Sequence, residues 1–163
     1  MLQNLVRASQ LFVLLLMLPG WAKSQQSFDR VFFYKTMATD KVDLIDKELQ
    51  LIRLAAFKGK EAFEGALQMK KSGLIGGLAK KLNLFRAGHR QLEGIIALDS
   101  LNTEYRFLRL MIQEHAPGIV GYRSQLDTDH IFIIKHFKSL QQDIRDAIID
   151  YTKESKVLKP ADF

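Results

Sequence analysis

The segment Leu82 to Tyr122, LNLFRAGHRQLEGIIALDSLNTEYRFLRLMIQEHAPGIVGY, constrains this chain more than any other. It reads as two helices joined at Asp99 to Asn102 and closed by Pro117, with Asn102 or Thr103 as the cap of the second. At about 100° per residue, Tyr105, Leu108 and Ile112 cluster on one side of that second helix, while Phe107, Leu110 and Met111 project elsewhere around it. A helix that is apolar on opposite sides belongs inside a domain, covered by other helices. Between the apolar sides runs a polar stripe about 60° wide, Asn102, Arg106, Arg109 and Gln113. Buried guanidinium groups are costly unless each is paired and hydrogen-bonded. The stripe therefore requires either carboxylates from neighbouring helices, with Glu61, Glu64, Asp146 and Asp150 as candidates, or an anion bound from outside.

The flanking sequence supplies helices to cover that element. Asp40 to Phe57 carries Val42, Ile45, Leu49, Ile52 and Ala56 at spacings of three and four, behind a cap at Thr39 or Asp40. A second helix is expected over about Lys60 to Ser72. Gly65 inside it costs about 1 kcal/mol relative to alanine unless another backbone packs against it, so a close helix crossing is predicted there. Gly73-Leu74-Ile75-Gly76-Gly77 breaks the pattern, and the next helix runs from Leu78 to Leu98. Beyond Ala116-Pro117-Gly118, Asp127 or Thr128 caps a helix with Ile131, Ile134, Phe137 and Leu140 at spacings of three. A last helix, about Gln142 to Ser155, offers Ile144, Ala147, Ile148 and Tyr151. Phe28 to Met37 is either a short helix or an extended arm, and Lys156 to Phe163 reads as a polar tail broken by Pro160. The expectation is an all-α, antiparallel bundle of about five to six helices over residues 39–155.

Residues 1–24 stand apart. Arg7 precedes an apolar block, Leu11 to Leu18, followed by Pro19, Gly20 and Ala22-Lys23-Ser24, the pattern of a secretory signal cleaved after Ser24. The block is too short to span a bilayer, which takes about 20 apolar residues, so no integral span is expected after cleavage. A secreted or periplasmic location follows. Removing residues 1–24 takes away Arg7 and Lys23 and no acid, so the formal charge falls from +6 to +4. That modest excess, with Lys70-Lys71 and Lys80-Lys81 flanking the glycine loop and the remaining charges mixed, argues against nucleic acid as a partner. With no cysteine in the chain, stability comes from the packed core alone.

Chemistry-bearing motifs are sparse. The glycine loop followed by two lysines lacks the GxxxxGK[ST] pattern and a preceding strand, so it is read as a helix connection or as an apolar hairpin tip touching a partner or a membrane surface. His89 and Glu93, one turn apart, could share a metal, but no third ligand lies near and none is assigned. His130 and His136 face different sides. There is no cysteine nucleophile, GxSxG or HExxH, so no catalytic residue and no cofactor is assigned. The candidate ligand-binding residues are Asn102, Arg106, Arg109 and Gln113, with His115, Tyr122 and Arg123 as loop neighbours; arginine forks suit a carboxylate or a peptide end. Leu74, Ile75 and Phe85 form the candidate partner surface.

Two resemblances follow from these residues. Gly88, Leu92, Ile95 and Ser100 sit at the spacing of the small, large, small and proline positions in the second helix of a tetratricopeptide repeat, and LDSLN resembles the link that ends such repeats. Ile95 stands where alanine is usual and Ser100 where proline is, and a single repeat excludes a long solenoid. EYRFLRLMIQEHAPGIVGY with the downstream DTDHIFIIKHFKSL resembles an uncharacterised family of small exported helical proteins from Bacteroidetes-type bacteria. That resemblance covers about Gly65 to Leu140 and implies a helical fold with no established activity. The function expected is non-catalytic binding or assembly with a protein partner in the cell envelope. The alternatives are a carboxylate or peptide carrier using the arginine stripe and, third, a cryptic hydrolase.

Overall fold

The computed structural model describes residues 27–163, so the expected leader lies outside the described residues. Among them are seven α-helices and no strand: α1 Arg30–Met37, α2 Val42–Leu54, α3 Lys60–Leu74, α4 Leu78–Leu98, α5 Thr103–His115, α6 Leu126–His136 and α7 Gln142–Tyr151. Short 3-10 turns occupy Gly118–Val120, Phe137–Ser139 and Pro160–Asp162. No helix is long and apolar enough to cross a membrane among the described residues.

Two helices form the centre. In α5, Phe107, Leu108 and Leu110 are fully buried, as its two-sided apolar pattern requires. In α3, every residue from Ala62 to Met69 is buried, including the polar Glu64 and Gln68. The sequence pattern hid this second central helix, because Ala62, Gly65 and Ala66 register as weakly apolar. Their small size is what lets neighbouring helices close over the polar residues between them. Glu64 is met there by Arg53 Nε at 2.7 Å and by Gln68 Nε2 at 3.0 Å.

α3 packs most extensively on α4, and the crossing is the one Gly65 predicts. A Cβ on Gly65 would lie 2.5 Å from the Gly88 carbonyl oxygen, and one on Gly88 would lie 2.4 Å from that of Gly65. Backbone meets backbone at this point, and no larger residue fits on either side. The three-residue link between these helices turns at Gly77, whose φ of 85° lies in the left-handed region.

Phe28 to Met37 resolves as a packed helix instead of an extended arm. Asp29 caps α1 by accepting from the Phe32 N–H, and the rings of Phe28, Phe33, Phe57 and Phe63 close into one cluster with centroids 4.2–5.8 Å apart. Arg30 Nε and Tyr34 Oη both donate to the buried Glu104 carboxylate, tying α1 to α5. Burial pushes the Glu104 carboxyl up, against the opposing pull of Arg30.

Five local expectations need correction. Lys41, with no side-chain bond, takes the cap position of α2 in place of Thr39 or Asp40, and Gln125 takes that of α6 in place of Asp127 or Thr128. The helix expected to run on to Leu140 ends at His136, and its buried residues are Asp129 and Ile133, while Ile131 is exposed. The inner face is defined by a four-residue step from Asp129 to Ile133, not by the spacings of three. The last helix stops at Tyr151, and Lys156 to Phe163 is no free tail. Glu114 accepts from Tyr151 Oη, Ser155 Oγ and the Lys156 and Val157 N–H groups, which pins the segment so that Leu158 is fully buried and Phe163 packs on Phe137 at 4.3 Å.

Candidate functional site

Asn102 begins the stripe by capping α5: its side-chain oxygen accepts from the Tyr105 N–H at 3.2 Å. One turn on, Arg106 lies with its guanidinium carbon 4.1 Å from the centroid of the Phe132 ring, donating through Nε to the Ser100 carbonyl at 2.7 Å. Its Nη1 reaches Asp129 Oδ1 at 3.0 Å. Arg109, one turn further and buried, grips the same carboxylate with two bonds, Nε to Oδ2 at 2.6 Å and Nη2 to Oδ1 at 2.8 Å. Its remaining arm, Nη1, donates to Glu93 Oε2 of α4 at 3.0 Å, and the other oxygen of Glu93 accepts from Tyr122 Oη. One connected network thus joins α4, α5, α6 and the loop that carries Tyr122.

Asp129 is the keystone. Its side chain is fully buried, it sits in the first turn of α6 where the helix dipole favours an anion, and two guanidiniums neutralise it. Burial works to lower the Arg109 pKa, but Asp129 and Glu93 more than offset it and hold the group charged above its usual range. The Tyr122 hydroxyl is pushed up by burial and by the Glu93 charge, so it stays a donor at any ordinary pH.

This wiring differs from the one expected. The carboxylates that satisfy the stripe are Asp129 and Glu93, not Glu61, Glu64, Asp146 or Asp150. Glu93, which sequence spacing pairs with His89, instead serves Arg109 and Tyr122, while His89 packs edge-on against the Tyr122 ring at 4.7 Å. Asp129 was concealed by its neighbours: Asp127-Thr128-Asp129 reads as a capping run, and only the four-residue step to Ile133 hints that it faces inward. Gln113 is fully buried at the end of the stripe, and neither its amide oxygen nor its nitrogen is hydrogen-bonded within the protein.

The loop candidates divide. Tyr122 joins the network and packs on Phe85, its ring edge-on at 5.9 Å. Arg123 instead donates to the Ala116 and Glu114 carbonyls, satisfying the open end of α5. His115 is exposed, its Nδ1 lying 3.0 Å from the Met111 carbonyl and its ring near Tyr151, away from the stripe's partners. Of the residues offered as a partner surface, Leu74 and Phe85 pack against the core and Ile75 is half-buried. Leu78, just past the glycines, is the exposed one.

Neither of the two best-formed clefts among the described residues touches the stripe. One, between α1 and α2 and lined by Asp29, Phe32 and Glu48 among others, encloses about 30 Å³, room for one water. The other is an open groove by Phe137, Lys138 and Phe163. Chemically, Arg109 spends all three nitrogens on carboxylates, and both oxygens of Asp129 and of Glu93 are already accepting. An anion reaching Arg109 would have to displace one of these carboxylates. Comparison with protein-family models, with curated proteins and with solved structures returns no match.

Proposed function

We propose that this chain is an exported, non-catalytic binding or assembly protein of the cell envelope, related to the small helical proteins of Bacteroidetes-type bacteria. In this reading its α3–α4 hairpin is a divergent tetratricopeptide-like unit. The observation that supports the proposal is the closure of the arginine stripe: its two guanidiniums are neutralised by Asp129 and Glu93, and neither of the two best-formed clefts among the described residues touches them. A carrier for carboxylates or peptide ends would need those donors free. Binding is thereby left to the outer surface, where a protein partner has a foothold at the α4–α5 turn. Leu98 and Leu101 are 84% and 75% exposed there, beside the Asp99–Lys58 ion pair.

The test is site-specific photocrosslinking from position 101 in the envelope fraction. A discrete adduct that disappears in Leu98→Asp, with the helical circular dichroism unchanged, supports the reading. Absence of an adduct counts against it, as does a thermal shift by small dicarboxylates or peptides that is lost in Arg106→Gln.

A further inference from the structure

The chain's net charge is confined to one hairpin. From Gly65 to Leu92, 28 residues contain six lysines and arginines and no acid; outside that stretch the chain balances at 18 basic against 18 acidic residues. Two of the six are neutralised by acids of α2 and the loop before it, Lys71 by Asp46 and Lys70 by Asp40 at 3.1 Å. The other four, Lys80, Lys81, Arg86 and Arg90 of α4, have no carboxylate within 4.0 Å among the described residues. Arg86 and Arg90 lie one turn apart on the outer side of α4, and both are exposed.

The same end of the hairpin is apolar. Leu78 is 75% exposed, Leu74 and Ile75 are half-buried beside it, and the glycines between them carry no side chain, Gly73 and Gly76 standing in open space. Aliphatic residues at a tip with unpaired bases behind it match a plane with anions at its face and hydrocarbon just beneath. Nucleic acid offers the anions without the hydrocarbon, and the tip presents no aromatic ring for a base to stack on.

We propose that the α3–α4 tip docks on an anionic lipid surface. Leu78, with Ile75 half-buried beside it, enters the boundary between headgroups and acyl chains. Lys80 and Lys81 meet lipid phosphates one turn behind, and Arg86 and Arg90 follow about 12 and 18 Å along the outer face of α4. This proposal does not rest on the assembly reading, whose foothold lies at the opposite end of α4.

The experiment is vesicle cosedimentation of the full chain with phosphatidylcholine alone and with 3:1 phosphatidylcholine to phosphatidylglycerol. Every variant carries the same first 24 residues, so differences between variants report on the hairpin. The expected result is preferential binding to the anionic vesicles that weakens as salt rises. Lys80→Glu with Lys81→Glu should lower that binding on the order of 30-fold, from the known strength of each base near an anionic membrane. Leu78→Asp should lower it while the thermal midpoint stays put. Binding to the anionic vesicles left unaltered by the charge reversal or by Leu78→Asp would overturn the proposal.

Discussion

Two sets of basic residues, on α5 and on α4, follow opposite rules. Arg106 and Arg109 point inward and meet carboxylates at 2.6–3.0 Å. Arg86 and Arg90 point outward and meet none among the described residues. The inner pair is what the fold needs: a buried guanidinium without its acid would be costly. The outer pair is exposed and makes no ion pair among the described residues, so no buried charge there requires a partner. The sequence draws the eye to the inner set, because arginines among apolar residues look anomalous. The structure transfers the functional question to the outer set.

The largest expected effect is at Arg109. Arg109→Met leaves Asp129 buried with only Arg106 and should destabilise the fold by about 3–5 kcal/mol in urea unfolding. A variant that stays as stable as the parent would break the comparison, since the inner set would then be as dispensable as the outer.

The two faces of α4 offer the next test. Gly88→Ala puts a methyl against the Gly65 carbonyl and should cost about 3 kcal/mol, because the obstacle is backbone and cannot rotate away. Gly94 stands in open space on the exposed side of the same helix, and Gly94→Ala should gain about 0.5–1 kcal/mol through helix propensity. Matching thermal shifts of one sign would contradict the crossing.

Glu48 sharpens the contrast, being a buried acid with one oxygen unpaired. Burial, with a smaller contribution from Asp29, raises its pKa from 4.5 to about 7. Below pH 4.5 the carboxyl is neutral in folded and unfolded chain alike and costs nothing. Between pH 4.5 and 7 the unfolded chain ionises first, so stability falls as pH rises, and above 7 the loss is constant. Glu48→Gln should therefore match the parent near pH 4 and exceed it above pH 7 by on the order of 2 kcal/mol. A difference independent of pH would exclude the titration as its cause.

The smallest expected effect is on the outer face. Arg86→Ala and Arg90→Ala should each change stability by less than about 0.5 kcal/mol. A larger loss would show that the face is structural after all.

Much of the fold is legible in the sequence. The bounds of α4 follow from the glycines ahead of Leu78 and from Asp99 beyond Leu98, the cap of α5 at Asn102 or Thr103 from their place before an apolar run, and the helix crossing from Gly65. These signals are local: a cap, a breaker or a missing side chain acts within a few residues of itself. The central place of α3 was not legible, because smallness is not hydrophobicity and only the approach of α4 reveals what Ala62, Gly65 and Ala66 permit. The pinned segment after Ser155 was missed for a similar reason, since Glu114 lies some 40 residues away from the groups it holds.

By itself the sequence determined an all-helical chain with α5 in its interior and an arginine stripe that had to be neutralised. Only the tertiary structure decided what neutralises it. Helical periodicity fixes which way a side chain points, but not which residue of another helix it meets. Asp129 lies 20 positions from Arg109 and Glu93 lies 16, and the packing of α4, α5 and α6 alone brings the three together.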